Sequence, residues 1–313
     1  LYGIVDSLGH IIIEPTYKDL TTQEGGYFFN EEDSVGYFLD VKTKKLVETK
    51  AGYRFVRKLT DEFSVFRDKK DYFGVLKNNS QEIVPFKYAE INLTNQLLIA
   101  QGSLRGRQFY EFYDLKGGKI DLPTVRKIDF LNDENIIVQD AKRHYGVLTN
   151  SGKLVIPIEF DEIMDLHTTK LVAVLKNREL FLMNFDGKSI TLPQDISQFK
   201  PDECGDGLLA FASKSGYNSG FIDITGNVVI PAMYSEVTRF FNGYALAELE
   251  NNEVALIDKS NRKLKILYPA GDENPRIDFI QGSDKNGYFI IEEKVYDANG
   301  NLTTLSLDKI LAD

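Results

Sequence analysis

The sequence predicts an all-β repeat fold, read as an eight-bladed β-propeller of four-stranded units, with an open β-solenoid as the alternative arrangement. Three observations point there: prolines that recur in register, a small residue repeated inside short apolar strands, and almost no helical periodicity.

The prolines set the period. Pro15, Pro85, Pro123, Pro157, Pro193, Pro231 and Pro269 are separated by 70, 38, 34, 36, 38 and 38 residues, the first gap being two periods. Most close an apolar run, as in Ile11-Ile12-Ile13-Glu14-Pro15, Leu154-Val155-Ile156-Pro157 and Val228-Val229-Ile230-Pro231. Proline has no N–H to give a ladder, so it marks a strand's end. An aromatic follows two or three residues later at Tyr17, Tyr88, Phe160 and Tyr234.

Upstream of each proline lies a strand with a small residue in it: Tyr2-Gly3-Ile4-Val5, Val35-Gly36-Tyr37-Phe38, Phe73-Gly74-Val75-Leu76, Tyr145-Gly146-Val147-Leu148, Ser219-Gly220-Phe221-Ile222 and Val254-Ala255-Leu256-Ile257. Two units depart, with Glu111 and Leu182 near that slot. A second apolar run comes late in each unit, as in Leu97-Leu98-Ile99 and Leu208-Leu209-Ala210-Phe211.

The three markers cut the chain into units near 1–34, 35–71, 72–107, 108–143, 144–178, 179–218, 219–252 and 253–293, with a partial ninth at 294–313. All belong to one repeat domain. Each is read as four strands, A to D: A, a polar turn, B ending at the proline, a weaker C, a turn, and D. Asp6-Ser7-Leu8-Gly9, Asp186-Gly187, Asp223-Ile224-Thr225-Gly226 and Asp297-Ala298-Asn299-Gly300 give the A–B turns residues that tolerate positive φ. The ninth unit reads as an A–B hairpin left over by an eight-blade count, expected to cap an edge or to complete a closure. A short helix is expected at Leu305 to Leu311.

Strands A, B and D are apolar on consecutive positions, so both faces of each small sheet are covered by neighbours. A unit of about 36 residues closes no core alone; stacked units do.

The repeat resembles that of the bacterial WG repeat proteins, in which Trp-Gly opens an apolar strand and a Val-Ile-Pro strand end is followed by an aromatic and an acid. Tyr2 to Leu20, Tyr145 to Ile163 and Ser219 to Val237 match best, with a weaker match from Phe73 to Ile91. Trp is absent, its place taken by Tyr2, Phe73, Tyr145 and Ser219. The resemblance implies a repeat fold and an extracytoplasmic, periplasmic or cell-surface setting, and brings no catalytic residues with it.

Composition narrows function. A net charge of −10, from 37 Lys plus Arg against 47 Asp plus Glu, argues against binding nucleic acid or anionic membrane. No apolar stretch approaches a bilayer span. The chain opens at Leu1 without Met, as expected of a trimmed or mature fragment whose leader has been removed. The single Cys204 excludes an intrachain disulfide and a cysteine cluster, and is expected to be a buried or half-buried small residue. His10, His144 and His167 fall in turns of different repeats and predict no metal site. The acidic stretches Asp297 to Asn301 and Asp202 to Asp206 read as turns rather than calcium loops. No cofactor motif occurs.

What remains is an asymmetry in the D–A junctions. Those closing units two to six are basic: Arg67-Asp68-Lys69-Lys70, Arg105-Gly106-Arg107, Lys142-Arg143, Lys176-Asn177-Arg178 and Lys214. Those closing units one, seven and eight are acidic: Glu31-Glu32-Asp33, Glu250 and Glu292-Glu293. In a closed ring these form a basic arc facing an acidic one, unless acids of the B–C turns pair with the bases. The expected function is a noncatalytic, monomeric binding scaffold that meets a protein or glycan partner through Arg67, Arg105, Arg107, Arg143 and Arg178. Its alternative is a glycan-active enzyme using carboxylates at the start of strand C, Glu90, Asp161-Glu162 or Glu236. Phe109-Tyr110 and Phe112-Tyr113 mark unit four as the place for an exposed sugar-stacking ring.

Overall fold

The computed structural model describes residues 1–23, 26–30, 37–40, 45–48, 53–79, 81–167, 171–216, 218–281, 286–306 and 309–310. Its regular structure is almost all antiparallel strand, and the chain divides into two compact units, Leu1–Leu154 and Val155–Asp313. The predicted all-β repeat class holds.

The first unit opens on the hairpin Tyr2–Val5 and Ile11–Tyr17. Two four-stranded sheets follow: Asp19–Gln23, Gly26–Asn30, Tyr37–Asp40 and Lys45–Glu48, then Arg54–Lys58, Phe63–Arg67, Phe73–Lys77 and Gln81–Tyr88. Next come Glu90–Leu93, Leu97–Leu104 and Arg107–Asp114, joined through the single pair Tyr110 and Val125 to Val125–Phe130, Asn135–Asp140 and Tyr145–Thr149. Strand Leu154–Phe160 carries the chain into the second unit. There the sheets are Glu162–Asp165, Leu171–Lys176, Glu179–Asn184 and Ser189–Ile190; Ile196–Phe199, Leu208–Ser213, Ser219–Asp223 and Val228–Tyr234; Glu236–Val237, Tyr244–Glu248, Val254–Asp258 and Lys263–Tyr268; and the three strands Ile277–Gln281, Gly287–Ile291 and Lys294–Asp297.

The hydrogen-bonded sheet is half a repeat out of phase with the sequence unit. Each complete sheet takes C and D from one repeat and A and B from the next. Turn length explains this. At four junctions one residue separates B from C, namely Lys18, Ala89, Asp161 and Ser235, and an antiparallel return needs at least a two-residue hairpin. Strand B therefore bends straight into the C strand of the next sheet. Two consequences follow for the partial units. Lys294–Asp297 of the ninth unit adds the third strand of the last sheet, and Tyr296 bridges Leu302 beyond it. The A–B pair without a C–D partner is the N-terminal hairpin, whose own sheet has two strands.

Within each unit, consecutive sheets bury one another's faces. One core joins Leu208, Ala210 and Phe221 to Phe240, Ala245 and Ala255 across successive sheets, and another joins Leu171, Ala173 and Leu182 to Phe199, Leu209 and Phe211. Of the helix expected at Leu305 to Leu311, Lys309 and Ile310 are helical, their N–H groups donating to the Ser306 carbonyl, while 307, 308 and 311 lie outside the described residues.

The recurrent small residue has a steric cause. Where it occurs it stands three positions before the residue that opens the A–B turn: Gly3 before Asp6, Gly146 before Thr149, Gly220 before Asp223, Ala255 before Asp258. At the proline, strand B slips register and arches towards strand A, because Pro231 has no N–H for the ladder. A Cβ at Gly220 would lie 2.6 Å from the Ile230 oxygen and 2.7 Å from the Ala232 nitrogen; at Gly3 it would meet the Ile13 oxygen at 2.5 Å. The same count from Asp114 and Asn184 gives Glu111 and Phe181, so the slot in the sixth unit belongs to Phe181 and not to Leu182.

A large side chain in that slot leaves no room for strand B. Beside Arg107–Asp114 the ladder shrinks to the bridge Tyr113 to Lys119 and the pair Tyr110 to Val125. Beside Glu179–Asn184 it shrinks to Leu182 with Ile190 and Met183 with Ser189.

Candidate functional site

Each of the five predicted arginines lies in or beside a D–A turn, and turn chemistry fixes the backbone that carries it. Arg105 (φ 51°) and Gly106 (φ 77°) form a two-residue turn with both residues left-handed, and Arg107 begins the next strand. Asn177 (φ 53°) and Arg178 (φ 67°) form a second, with the Asn177 N–H donating to Asp161 Oδ2 at 2.7 Å. Arg143 (φ 73°) sits in a turn closed by Asp140, whose Oδ1 accepts from the N–H groups of Lys142 and His144 at 2.8 Å. Asp68 closes the Arg67 turn likewise, accepting from Lys70 and Tyr72.

The arginines divide into two kinds. Arg67 is held by its own turn, Nε standing 3.3 Å from Asp71 Oδ1. Arg105, Arg107, Arg143 and Arg178 are exposed, and among the described residues none makes an ion pair or a side-chain hydrogen bond. Local acids are taken by lysines instead: Lys77 with Glu62 at 3.1 Å and Lys176 with Glu159 at 2.8 Å. Lys214 donates to the Gln194 carbonyl at 2.7 Å. Of the acidic junctions, Glu31-Glu32-Asp33 lies outside the described residues, and Glu292 accepts the Arg276 N–H.

Arg178 also borders a cleft of about 500 Å³ where strand B of its sheet stops at Ile190. Leu180, Phe181 and Leu192 wall it, and Lys214 faces it from the next sheet's D–A turn. Sequence reasoning found Arg178 but missed the cleft. The legible signal was the departure near Leu182, one residue from Phe181, which keeps the outer strand off.

The other departure is filled. Glu111 accepts the Tyr88 and Tyr113 hydroxyls and pairs at 2.9 Å with both Lys87 and Lys119. Burial raises its pKa, but the Tyr88 hydroxyl and the two ammonium groups outweigh this and hold it at about 2. The Tyr88 phenol is pushed up, by burial first and by Glu111 second. Both carboxylate oxygens are engaged within the chain.

Three of the carboxylates of the enzyme alternative are engaged, each with a different partner. Glu90 accepts from the Asn92 side chain, Asp161 from the Asn177 N–H, and Glu236 from Lys200 Nζ at 2.6 Å. Glu236 borders a polar cleft of about 670 Å³ with Glu203, Arg239 and Phe279, in which Arg239 donates to the Asp202 carbonyl and lies over the Phe279 ring. Burial raises the Glu203 pKa. No group of three metal-ligating side chains occurs among the described residues.

The predicted turns recur in the structure, except that Asp202 and Glu203 lie in the 3-10 helix Pro201–Glu203. His10 lies 2.9 Å from Asp6, while His144 and His167 each face an aspartate of their own turn. Asp297 accepts from the Asn299 and Asn301 N–H groups, and Asp206 from the Gly243 N–H. Cys204 is buried, its thiol pushed up to about 12 by burial. Of the crowded rings in unit four, Phe112 and Tyr113 are buried and Phe109 and Tyr110 half-buried, and the exposed ring of that unit is Phe130.

Residues 2–34, 145–177 and 220–252 match the WG containing repeat, in the A-to-D phase of the sequence unit. No curated protein matches the chain by sequence. Among solved structures it is similar to BamB from Moraxella catarrhalis (9% identity, 90% of this chain and 91% of that one, TM-score 0.33). It is similar also to the C-terminal WD40 domain of Sif2 (12%, 92% and 85%, 0.34) and to apo AztD from Citrobacter koseri (13%, 89% and 93%, 0.36).

Proposed function

We propose that this chain, a protein of WG containing repeats, is a noncatalytic scaffold that binds an acidic protein or glycan partner through arginines on its D–A turns. One observation carries the reading: Arg105, Arg107 and Arg143 are exposed and without partners among the described residues, on turns whose backbones are already fixed. Fixed turns lower the ordering cost of association, and a guanidinium offers a carboxylate or sulfate two parallel donors. The partner meets the chain outside the cytoplasm, a setting supported by the family resemblance.

The test uses immobilised polyglutamate and hyaluronate with the chain as analyte at low salt. Retention on at least one surface, lost by R105S/R107S/R143S with the melting temperature unchanged, is the expected result. No retention on either surface, or equal retention of the variant, overturns the reading.

A further inference from the structure

We infer that the cleft beside Glu179–Asn184 is a docking groove for an extended acidic peptide segment of a partner protein, which adds the strand that this sheet lacks. The inference rests on the binding reading above for the sign of the partner's charge and goes beyond it in naming a groove and a mode.

The backbone pattern comes first. Across the turn Asn177-Arg178, Lys176 faces Glu179, and in a two-residue hairpin that pair is hydrogen-bonded. Alternation then turns the N–H and C=O of Leu180 and Leu182 to the opposite edge. Leu182 meets Ile190 there, but Leu180 has no backbone partner among the described residues. In the uninterrupted sheet the equivalent residue, Ser219, pairs with Tyr234. The groove therefore exposes an unpaired strand edge, the condition for strand addition.

Side chains select the guest. Leu180, Phe181 and Leu192 give the groove an apolar wall suited to alternate side chains of an extended chain. Arg178 and Lys214 stand at its rim, Arg178 without a partner among the described residues and Lys214 bonded to one neutral carbonyl. Glu179 is the acid lining the same groove. The surplus of cations favours a segment that carries carboxylates among apolar residues.

The experiment is fluorescence anisotropy of the full chain with three labelled octapeptides: alternating glutamate and valine, alternating lysine and valine, and the glutamate peptide with two central valines replaced by proline. The glutamate peptide is expected to bind. R178S/K214S should weaken it about tenfold, and the lysine and proline peptides should bind at least tenfold more weakly than the parent. Amide exchange at Leu180 should slow in the complex. An unchanged affinity of the double variant, or a lysine or proline peptide that binds as well as the parent, overturns the inference. R105S/R107S/R143S separates the two claims. Peptide failure with intact, arginine-dependent retention on polyglutamate or hyaluronate removes the groove alone; failure of both removes the binding reading too.

Discussion

Two neighbouring sheets of the second unit share a plan and differ at one slot. Around Ser219–Asp223 the slot holds Gly220, strand B runs the full length from Val228 to Tyr234, and the post-proline Tyr234 is buried with its hydroxyl donating to Asn261 Oδ1 at 2.6 Å. Around Glu179–Asn184 the slot holds Phe181, strand B is two residues long, and a cleft opens where the rest would lie. The difference teaches that the glycine in the repeat is a seat for the arching outer strand. Where a bulky residue occupies the seat, the sheet gains a free edge.

The largest test of this comparison is exchange at the slot. Gly220→Val should cost about 3 kcal/mol or more in chemical denaturation, because the clash is with backbone that has nowhere to move. Phe181→Ala should cost less, roughly 2 kcal/mol, since the ring is half-buried and no strand leans on it. A Gly220→Val cost no greater than that of Phe181→Ala would break the comparison.

Smaller effects sharpen it. Tyr234→Phe should lose about 1 kcal/mol, the worth of its bond to Asn261. Glu248, on the D strand of the next sheet, is buried with Oε1 unpartnered, and its pKa is raised by burial and then by Glu236 opposite. A raised carboxyl pKa means the fold favours the protonated form, so its ionisation removes stability as pH rises through the ordinary carboxylate range. Glu248→Gln should therefore stabilise the chain by about 1 kcal/mol at neutral pH and not at pH 3.

The smallest contrast lies in the two A–B turns. Asp223 accepts from Thr225 and Asn227, and the Thr225 hydroxyl first among these holds its pKa at about 2. A lowered pKa adds stability above the ordinary aspartate value that is lost as pH falls towards 2. Amide shifts of Thr225 and Asn227 should move over that window. That of Lys188 should not follow, because its N–H is held by Asn184, which does not titrate.

Much of this was legible in the sequence. Repeating prolines and turn residues act locally, so strand order, turn positions and the buried character of Cys204 could be read one residue at a time. The phase of the sheets is pairing information, and it emerges from the single residue between B and C once hairpin geometry is applied. The departure in the sixth unit is visible in the sequence, but the spacing puts it only near Leu182 and does not single out Phe181. On a strand one position is the difference between two faces, so Phe181 and its cleft stayed hidden. Four aromatics in five positions say nothing about which neighbour covers them, so the crowding in unit four does not point to Phe130, its exposed ring. The pairing of Lys176 and Lys77 with local acids, leaving the arginines open, depends on side-chain reach that no spacing encodes.

Hydrogen exchange on Gly220→Phe addresses the seating claim most directly. The expected result is that residues 230–234 lose protection while 208–213 and 219–223 keep theirs, turning the complete sheet into a copy of its interrupted neighbour. Undiminished protection of 230–234 would contradict it.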